Sequence, residues 1–473
     1  MRKINAKLGI LVSAAFLAGC ATTDMLGEKF AALTGGSTKT AAEDGNGSTQ
    51  SGKKKSIFDY ATPSSYDEAY TYRTDAADKR ALSLLKNKET DALRVSNPYG
   101  YVKKVCEGIS AAAANDFEKA KLAHDVVCVL LSYDAQNFWA GTVPPQEYEQ
   151  VLQTKTAVCE GYANLYKAFC DTLKIRCEKV HGYARGVGTS LENEQNPTES
   201  NHAWNLVKIS EAWYLVDCTW DSGHMEGRTS KQDYTTDWLF LKPEHFIYSH
   251  YPDIPRQQLL TPPLTAAQFS AQPDLRPKFF EVTESHGALA KKTAADGGFS
   301  YAFGPKKGYE VSFRLADAAT GQEAQNCTFV KAGAAGSEAL FSLPAAGTYS
   351  VTVFWRKTGG KSGHGCGTFL LEAAEGSAVR YPTTFASSAQ DVEIISPITM
   401  PLAKGKKSHF EVRAANKKFV AVICGKTFIQ LTNDGKGNFS GDVEIPATVK
   451  EVTLSASNSE RTKYEGLAKY TVE

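Results

Sequence analysis

Cys159, His202 and Asp217 are the residues of this chain whose types and order could carry nucleophilic chemistry. A cysteine thiolate attacks a carbonyl carbon, a histidine moves the proton, and a carboxylate holds the imidazole in one tautomer. Such a set forms a thioester with an acyl group, and the reaction needs no cofactor. We interpret Cys159 as the nucleophile, His202 as its base and Asp217 as the residue that orients His202.

Cys159 is expected at the N-terminus of a helix that runs to about Leu173. The unpaired N–H groups and the positive end of the helix dipole favour a thiolate there. Glu160, the next residue, opposes this effect electrostatically, although at the N-terminus it also complements the helix dipole. Taken alone, such a cysteine could also be a buried structural thiol. Apolar residues on one helix face predict that this helix packs into a core: Tyr162, Leu165, Tyr166, Phe169 and Leu173.

A predicted hairpin brings His202 and Asp217 together. His202 begins an alternating segment that extends to Ile209, and a second strand leads from Ala212 to Asp217 after a turn near Ser210. Strands of similar length on either side of a tight turn place His202 and Asp217 within a residue or two of register. The carboxylate can then fix the imidazole tautomer and leave its other nitrogen for the thiol proton.

Two further groups could complete the site. The backbone N–H of Cys159 is the natural donor to an oxyanion, because it lies at a helix start. Gln153, six residues before Cys159, could supply a second donor, although a surface glutamine is the alternative interpretation. Trp204 and Trp220 flank His202 and Asp217 in sequence, and we expect them to pack the hairpin rather than contact substrate.

No metal or phosphate site is predicted. The sequence has no glycine-rich phosphate loop, no paired-carboxylate site and no CxxC pattern. His245 and His250 are five residues apart, which does not suit two ligands on one helix face, and Pro243 and Pro252 indicate loops. Neither a metal ion nor an organic cofactor is therefore expected.

Three short motifs carry a resemblance to a known family. The segments VCEGYA (158–163), HAWN (202–205) and VDCTWD (216–221) resemble the three blocks of the transglutaminase-like superfamily, which has a papain-related fold. Segment 237–252 is similar to the kyphoscoliosis-peptidase-like subgroup, whose members carry β-sandwich modules downstream. The resemblance covers about residues 100–262, and Cys218 departs from it where proline is frequent. It implies thiol acyl-transfer on proteins by Cys159, His202 and Asp217.

The pattern of elements predicts an α+β core followed by two all-β sandwich domains. Asn115 is the expected N-cap of a helix that precedes the nucleophile, and antiparallel strands follow the helix of Cys159. Beyond Pro262, short alternating segments separated by glycine-rich turns are typical of immunoglobulin-like sandwiches. We assign residues 61–262 to the papain/transglutaminase-like domain, 263–385 to the first sandwich and 386–473 to the second.

The N-terminus predicts a lipid anchor. Basic residues precede a short apolar run that ends in LAGC (17–20), which resembles a lipobox with Cys20 as the acylated residue. Residues 1–19 are interpreted as the signal peptide and 20–60 as a flexible tether rich in small polar residues. The apolar run is too short to span a bilayer. Ala21 after the cysteine resembles the outer-membrane sorting pattern of Gram-negative lipoproteins, which implies the outer membrane of a bacterial cell envelope.

Composition excludes some partners. With 53 basic and 52 acidic residues and no basic stripe, the chain gives no sign of nucleic-acid binding. Ten cysteines are present. Apart from Cys20 and Cys159, eight could pair in an oxidising compartment.

We expect a protein or peptide substrate of the envelope or the exterior. The shared acyl-enzyme leaves amide hydrolysis and transamidation open, because access of water or of an amine to the thioester decides between them. The alternative is a catalytically silent binding module in which the β-sandwiches recognise a protein partner.

Overall fold

The computed structural model describes residues 60–473 except 192, 193, 195, 196, 198, 288, 290, 291, 334, 335, 386–391 and 460–462. The predicted signal peptide, Cys20 and the tether up to residue 59 lie outside the described residues. The described residues divide into two compact units, those of 60–190 with 195–266 and those of 191–194 with 267–473.

The helices lie mainly in the first unit. Their bounds are α1 Asp67–Tyr70, α2 Lys79–Leu85, α3 Lys88–Ser96, α4 Pro98–Ala112, α5 Asp116–Leu130, α6 Ala135–Ala140, α7 Tyr148–Thr154, α8 Cys159–Thr172, α9 Cys218–Ser222, α10 Pro243–Phe246, α11 Ala266–Ser270 and α12 Pro277–Val282, with a 3₁₀ turn at Pro255–Gln258.

The strands of the first unit are β1 Ser132–Tyr133, β2 Thr156–Ala157, β3 Arg176–Ala184, β4 His202–Ile209, β5 Ala212–Val216, β6 Gly223–Glu226, β7 Thr229–Gln232, β8 Leu239–Leu241 and β9 His250–Pro252. Those of the second unit are β10 Asp274–Leu275, β11 Thr283–His286, β12 Lys292–Ala294, β13 Gly298–Pro305, β14 Tyr309–Asp317, β15 Thr328–Gly333, β16 Gly336–Ser342, β17 Gly347–Lys357, β18 His364–Ala373, β19 Thr383–Thr384, β20 Glu393–Ser396, β21 Lys407–Arg413, β22 Phe419–Cys424, β23 Thr427–Gln430, β24 Thr432–Asn433, β25 Asn438–Glu444, β26 Glu451–Ser457 and β27 Glu465–Thr471.

A five-stranded antiparallel sheet forms the base of the first unit, in the order β8-β5-β4-β3-β9. Helix α8 packs beside β3 and β4, and its apolar face joins α4 and α5 in one buried core. Tyr162, Leu165 and Phe169 of α8 are fully buried in that core. Asn115 caps α5 as predicted, since its side-chain oxygen accepts a hydrogen bond from the Glu118 N–H at 2.9 Å. The core therefore fixes α8, and with it Cys159, against the sheet.

The hairpin of β4 and β5 has the predicted turn. Ser210 and Glu211 both adopt positive φ, 49° and 68°, as a two-residue type I′ turn requires. The register pairs Ile209 with Ala212 at the turn and Asn205 with Val216 at the far end. Asp217 lies one residue beyond this last pair. It is therefore opposite the β4 residue that is two positions along the strand from His202.

The second unit contains two pairs of sheets. In the first pair, Tyr301 of β13 and Phe369 of β18 bring the two sheets together with ring centroids 5.0 Å apart. In the second pair, Phe410 of β21 and Tyr470 of β27 do so at 5.7 Å within a shared apolar core. The predicted fold class, an α+β core followed by all-β sandwiches, is confirmed.

The described cysteines are all buried and unbridged, and they number nine: Cys106, Cys128, Cys159, Cys170, Cys177, Cys218, Cys327, Cys366 and Cys424. Between residues 60 and 473, within the described ranges, no helix has the length and apolar character to cross a bilayer.

Candidate active site

Cys159 is the first residue of α8, as predicted. Val158 occupies the N-cap position and offers no side-chain hydrogen bond to the helix. The first N–H groups of a helix have no intrahelical acceptor, so a sulfur at this position lies in their field. The Cys159 residue is only 1% exposed and packs against Ala163 and Ala203. The local sequence thus places a nucleophile at a helix start, and the tertiary structure encloses it.

His202 connects Cys159 to Asp217. Its Nε2 atom lies 2.8 Å from Asp217 Oδ2, and the Cys159 side chain lies close enough to raise the pKa of the same imidazole. Since Nε2 faces the carboxylate, Nδ1 is the nitrogen left for the sulfur. The structure therefore brings the three residues of the predicted triad together in the predicted order.

The protonation states follow from this geometry. Burial lowers the pKa of His202, but the charges of Asp217 and Cys159 raise it more, to about 10. Burial raises the pKa of Asp217, but His202 and His250 outweigh it and hold that pKa well below its usual range. At neutral pH, His202 is therefore an imidazolium paired with the Asp217 carboxylate. Its positive charge lies next to the Cys159 sulfur.

Each oxygen of Asp217 has its own partners. Oδ2 faces the histidines, whereas Oδ1 accepts the backbone N–H groups of Thr219 at 2.8 Å and Trp220 at 3.2 Å. Asp217 is thereby the N-cap of α9. A capping aspartate is held in one rotamer by the helix that it begins, so the orientation of His202 depends on α9.

His250 is a member of the site that sequence reasoning missed. It lies at the start of β9, beside Ala184 of β3, and its Nε2 is 3.2 Å from Asp217 Oδ2. Its Nδ1 is 2.8 Å from Ser249 Oγ. The segment 237–252 contains this residue, but no local pattern there indicates that β9 reaches Asp217.

Geometry alone would also allow His202, Asp217 and His250 to face a metal ion, because each offers a ligand atom within 4.8 Å of the others. A metal ion there would take the His202 nitrogen that now bonds to Asp217. The same histidine interacts with Cys159, so the cluster fits a proton-transfer site better than a metal centre.

Aromatic rings enclose the two histidines. Trp220 lies 5.4 Å from the His202 ring and 4.3 Å from the His250 ring, measured between centroids. Trp204 stacks on His202 at 6.0 Å, and Phe246 contacts His250 at 4.1 Å. These rings shield the ion pair from water, which strengthens the interaction between its charges.

Glu160 does not oppose a thiolate in the way that its position suggests. Its carboxylate accepts a hydrogen bond from the Lys179 ammonium and lies 2.9 Å from His181 Nε2, both on β3. Burial raises the pKa of Glu160, but His181 and Lys179 together lower it. The negative charge next to Cys159 is therefore compensated by a basic pair on the neighbouring strand.

Gln153 is not among the residues brought together here. It lies in α7 with an exposed side chain, and its backbone carbonyl accepts a hydrogen bond from Arg94 at 3.0 Å. A different glutamine approaches the helix start: Gln146 Oε1 accepts the Val158 N–H at 2.9 Å. Its amide oxygen supports the backbone before Cys159, so it acts on the position of the helix rather than as an oxyanion donor in this state.

Residues 103–218 match the family model described as the transglutaminase-like superfamily, and that segment contains Cys159, His202 and Asp217. This part of the chain belongs to the transglutaminase-like superfamily. Kyphoscoliosis peptidase of Homo sapiens is 30% identical over 211 residues, which cover 43% of this chain and 31% of that protein. Hillarin of Drosophila melanogaster is 27% identical over 147 residues, or 28% of this chain and 18% of that protein.

The chain thus spans a third or less of the length of these relatives. Among solved structures, a TGase is similar at 18% identity and a TM-score of 0.20, over 33% of this chain and 38% of that one. Red sea bream transglutaminase is similar at 9% identity and a TM-score of 0.21, over 88% and 79%.

Replacement of Asp217 by asparagine should lower the pKa of His202. The substitution keeps the size of the side chain but removes the charge, and an opposite charge at this distance raises a histidine pKa by about one to three units. Histidine-selective NMR titration measures the effect. Asp442→Asn, beside the exposed His409, is the matched control and should leave His202 unchanged. A His202 pKa that stays near 10 in Asp217→Asn would show that the carboxylate is not its main partner.

Proposed function

We propose that this chain is an envelope-anchored enzyme that performs thiol acyl-transfer on protein amides. The observation that carries the proposal is the series of contacts from Cys159 through His202 to Asp217. Cys159 attacks the amide carbon and forms a C–S bond, and the backbone N–H of Cys159 faces the developing oxyanion. His202 gives its proton to the leaving amine as the C–N bond breaks. The product of this step is a thioester on Cys159.

The second half of the reaction removes the acyl group. Water or an amine attacks the thioester, His202 accepts its proton, and the C–S bond breaks to regenerate the thiolate. Water yields a carboxylic acid, and an amine yields a new amide. Asp217 compensates the positive charge on His202 in both steps. Nothing in this sequence of steps requires a cofactor.

Membrane attachment is part of the proposal and rests on the sequence alone. The LAGC segment at 17–20 and the basic residues before it support acylation of Cys20. With such an anchor, the substrates would be proteins or peptides of the envelope or the exterior. The peptidase names of the mammalian relatives support a protein substrate, although the similarity covers less than half of this chain.

Burial of the sulfur favours a second candidate function. Cys159 is 1% exposed and His202 is 6% exposed, so an amide reaches the sulfur only after side chains around it move. A site held shut in this way also suits a catalytically silent module whose β-sandwiches bind a protein partner. The two functions differ in the reactivity of Cys159, which can be measured directly.

Alkylation of Cys159 should depend little on pH in the wild type between pH 6.5 and 9.5. His202 carries its proton across this range, because its pKa is about 10, so the positive charge beside the sulfur changes little. In His202→Ala the rate at pH 6.5 should fall by up to about 100-fold relative to pH 9.5, since an ordinary thiol with a pKa near 8.5 is about 1% ionised there. The rate is measured by mass spectrometry of the labelled full chain.

For each protein, the alkylation rate of Cys159 at the higher pH is divided by its rate at the lower pH. This ratio cancels any change in access to the sulfur between the wild type and the variant. Alkylation of Cys177, a buried cysteine outside the triad, is followed in the same samples for comparison. Equal ratios for the wild type and for His202→Ala would favour the silent module over the enzyme.

Reaction products separate hydrolysis from transamidation. Incubated with a peptide library and a fluorescent primary amine, the wild type should yield cleaved or amine-labelled peptides, and Cys159→Ala should reduce either product by at least about 100-fold. Cys177→Ala is the control and should retain turnover if it folds. Equal product from wild type and Cys159→Ala would reject the assignment of the nucleophile.

Cys20→Ser should release the protein from membranes. Without its thiol the chain gains no acyl groups, and each buried methylene of such a group contributes about 0.8 kcal/mol to anchoring. Fractionation of the cells that express the full chain measures the change. Retention of Cys20→Ser in the membrane fraction would contradict the proposed anchor.

A further inference from the structure

A second cluster of reactive side chains lies in the core of the first unit. Helix α5 supplies His124 and Cys128, which are one turn apart, and α9 supplies Cys218 and Asp221. All four are at most 2% exposed. The ligand atoms of His124, Cys128 and Cys218 lie within 4.8 Å of one another. None of these residues takes part in the acyl-transfer steps above.

The distances suit tetrahedral coordination. Bonds of about 2.3 Å to sulfur and about 2.0 Å to nitrogen or oxygen place neighbouring ligands of a zinc ion roughly 3.2–3.8 Å apart. Cys128 Sγ lies 3.4 Å from His124 Nε2, and Asp221 Oδ2 lies 3.0 Å from the same nitrogen. Cys128 Sγ also donates a hydrogen bond to the Cys218 carbonyl oxygen at 3.3 Å, which holds the two cysteines next to each other. Small side-chain adjustments would therefore centre an ion among the four.

The surroundings of His124 have the form that metal-binding histidines take. Its Nδ1 lies 3.1 Å from Asp125 Oδ1, so the Nε2 atom is turned into the cluster. Asp125 is itself held by the Lys121 ammonium and the Tyr234 hydroxyl. A carboxylate behind the imidazole fixes the ring and raises its basicity as a ligand.

Hydrogen bonding alone accounts for only part of this arrangement. Nε2 of His124 carries one hydrogen at most, and Asp221 is already a sufficient acceptor for it. The Cys128 thiol has the Cys218 carbonyl oxygen as an acceptor at 3.3 Å, yet sulfur atoms from two different helices both lie within 4.8 Å of the His124 ligand nitrogen. Thiolates, an imidazole and a carboxylate together form a ligand set that a borderline-soft divalent ion prefers.

We propose that His124, Cys128, Cys218 and Asp221 bind one zinc ion as a closed structural site. The ion replaces the proton of His124 Nε2 and the two thiol protons, and it cross-links α5 to the first turn of α9. Asp217 caps that turn, so the metal site holds the residue that orients His202. This inference stands apart from the proposed function, because a silent module would carry the same site.

The first test uses the purified full chain in reducing buffer. Elemental analysis should find one zinc ion per chain, and replacement by cobalt(II) should give thiolate-to-cobalt absorption with the intensity of two thiolate ligands. Cys128→Ser and Cys218→Ser should lose the ion. Cys177→Ser, a buried cysteine beside Cys170, and Cys159→Ala, which removes the other sulfur next to a histidine, should keep it.

A milder substitution covers the case in which the cysteine variants do not fold. Asp125→Asn removes the carboxylate behind His124 without touching a ligand, and it should weaken zinc binding by about 10- to 100-fold. Competition with a chromophoric chelator measures the affinity.

Three results would each overturn the proposal. The first is a reduced wild-type chain that binds neither zinc nor cobalt. The second is a Cys128–Cys218 disulfide in the protein as isolated, detected by mass spectrometry of peptides without reduction. The third is an ion lost from Cys159→Ala and kept by Cys128→Ser, which would place the metal at the catalytic cluster instead.

Discussion

The buried carboxylate of Asp217 is the group on which the rest of the site depends. Burying a charge without partners is costly, and Asp217 is fully buried. Its partners come from three separate elements, His202 of β4, His250 of β9 and the first N–H groups of α9. Loss of the helix cap alone would cost about 1 kcal/mol, whereas leaving a buried charge without its partner costs about 3–5 kcal/mol. The ion pair, more than the cap, therefore holds these elements together.

The same burial that strengthens the ion pair also hides the sulfur. Trp204, Trp220 and Phe246 surround the two histidines and exclude water, so the charges interact in a medium of low polarity. Ala163 and Ala203 pack against Cys159 and bury it. A preorganised site and a closed site are thus consequences of one packing arrangement. Reactivity depends on how readily that packing opens to an amide.

Helix α9 links the candidate active site to the deeper polar cluster. Asp217 caps the helix, Cys218 is its first residue, and Asp221 is in contact with His124 of α5. Any interaction that fixes α9 against α5 also fixes the oxygen that faces His202. The short helix has five residues and little stability of its own, so its position depends on the side chains at both of its ends.

The sequence by itself determined the local parts of this protein. Periodic apolar residues predicted α8 with Cys159 at its start, and the alternation around Ser210 predicted the hairpin that brings His202 to Asp217. These features depend on spacing within one helix or one hairpin, and such spacing can be read directly from the chain. The same reasoning predicted the α+β core and the sandwiches after it, because turn residues recur at short intervals there.

Only the tertiary structure decided which distant residues meet. His250 reaches Asp217 because β9 pairs with β3 at the sheet edge, and Lys179 neutralises Glu160 because β3 packs against α8. His124 and Asp221 converge because α5 packs against α9 across the core. Conversely, Gln153 has the expected spacing but an exposed side chain, since α7 turns it outward. Contacts of this kind depend on how elements pack, and no local pattern specifies that packing.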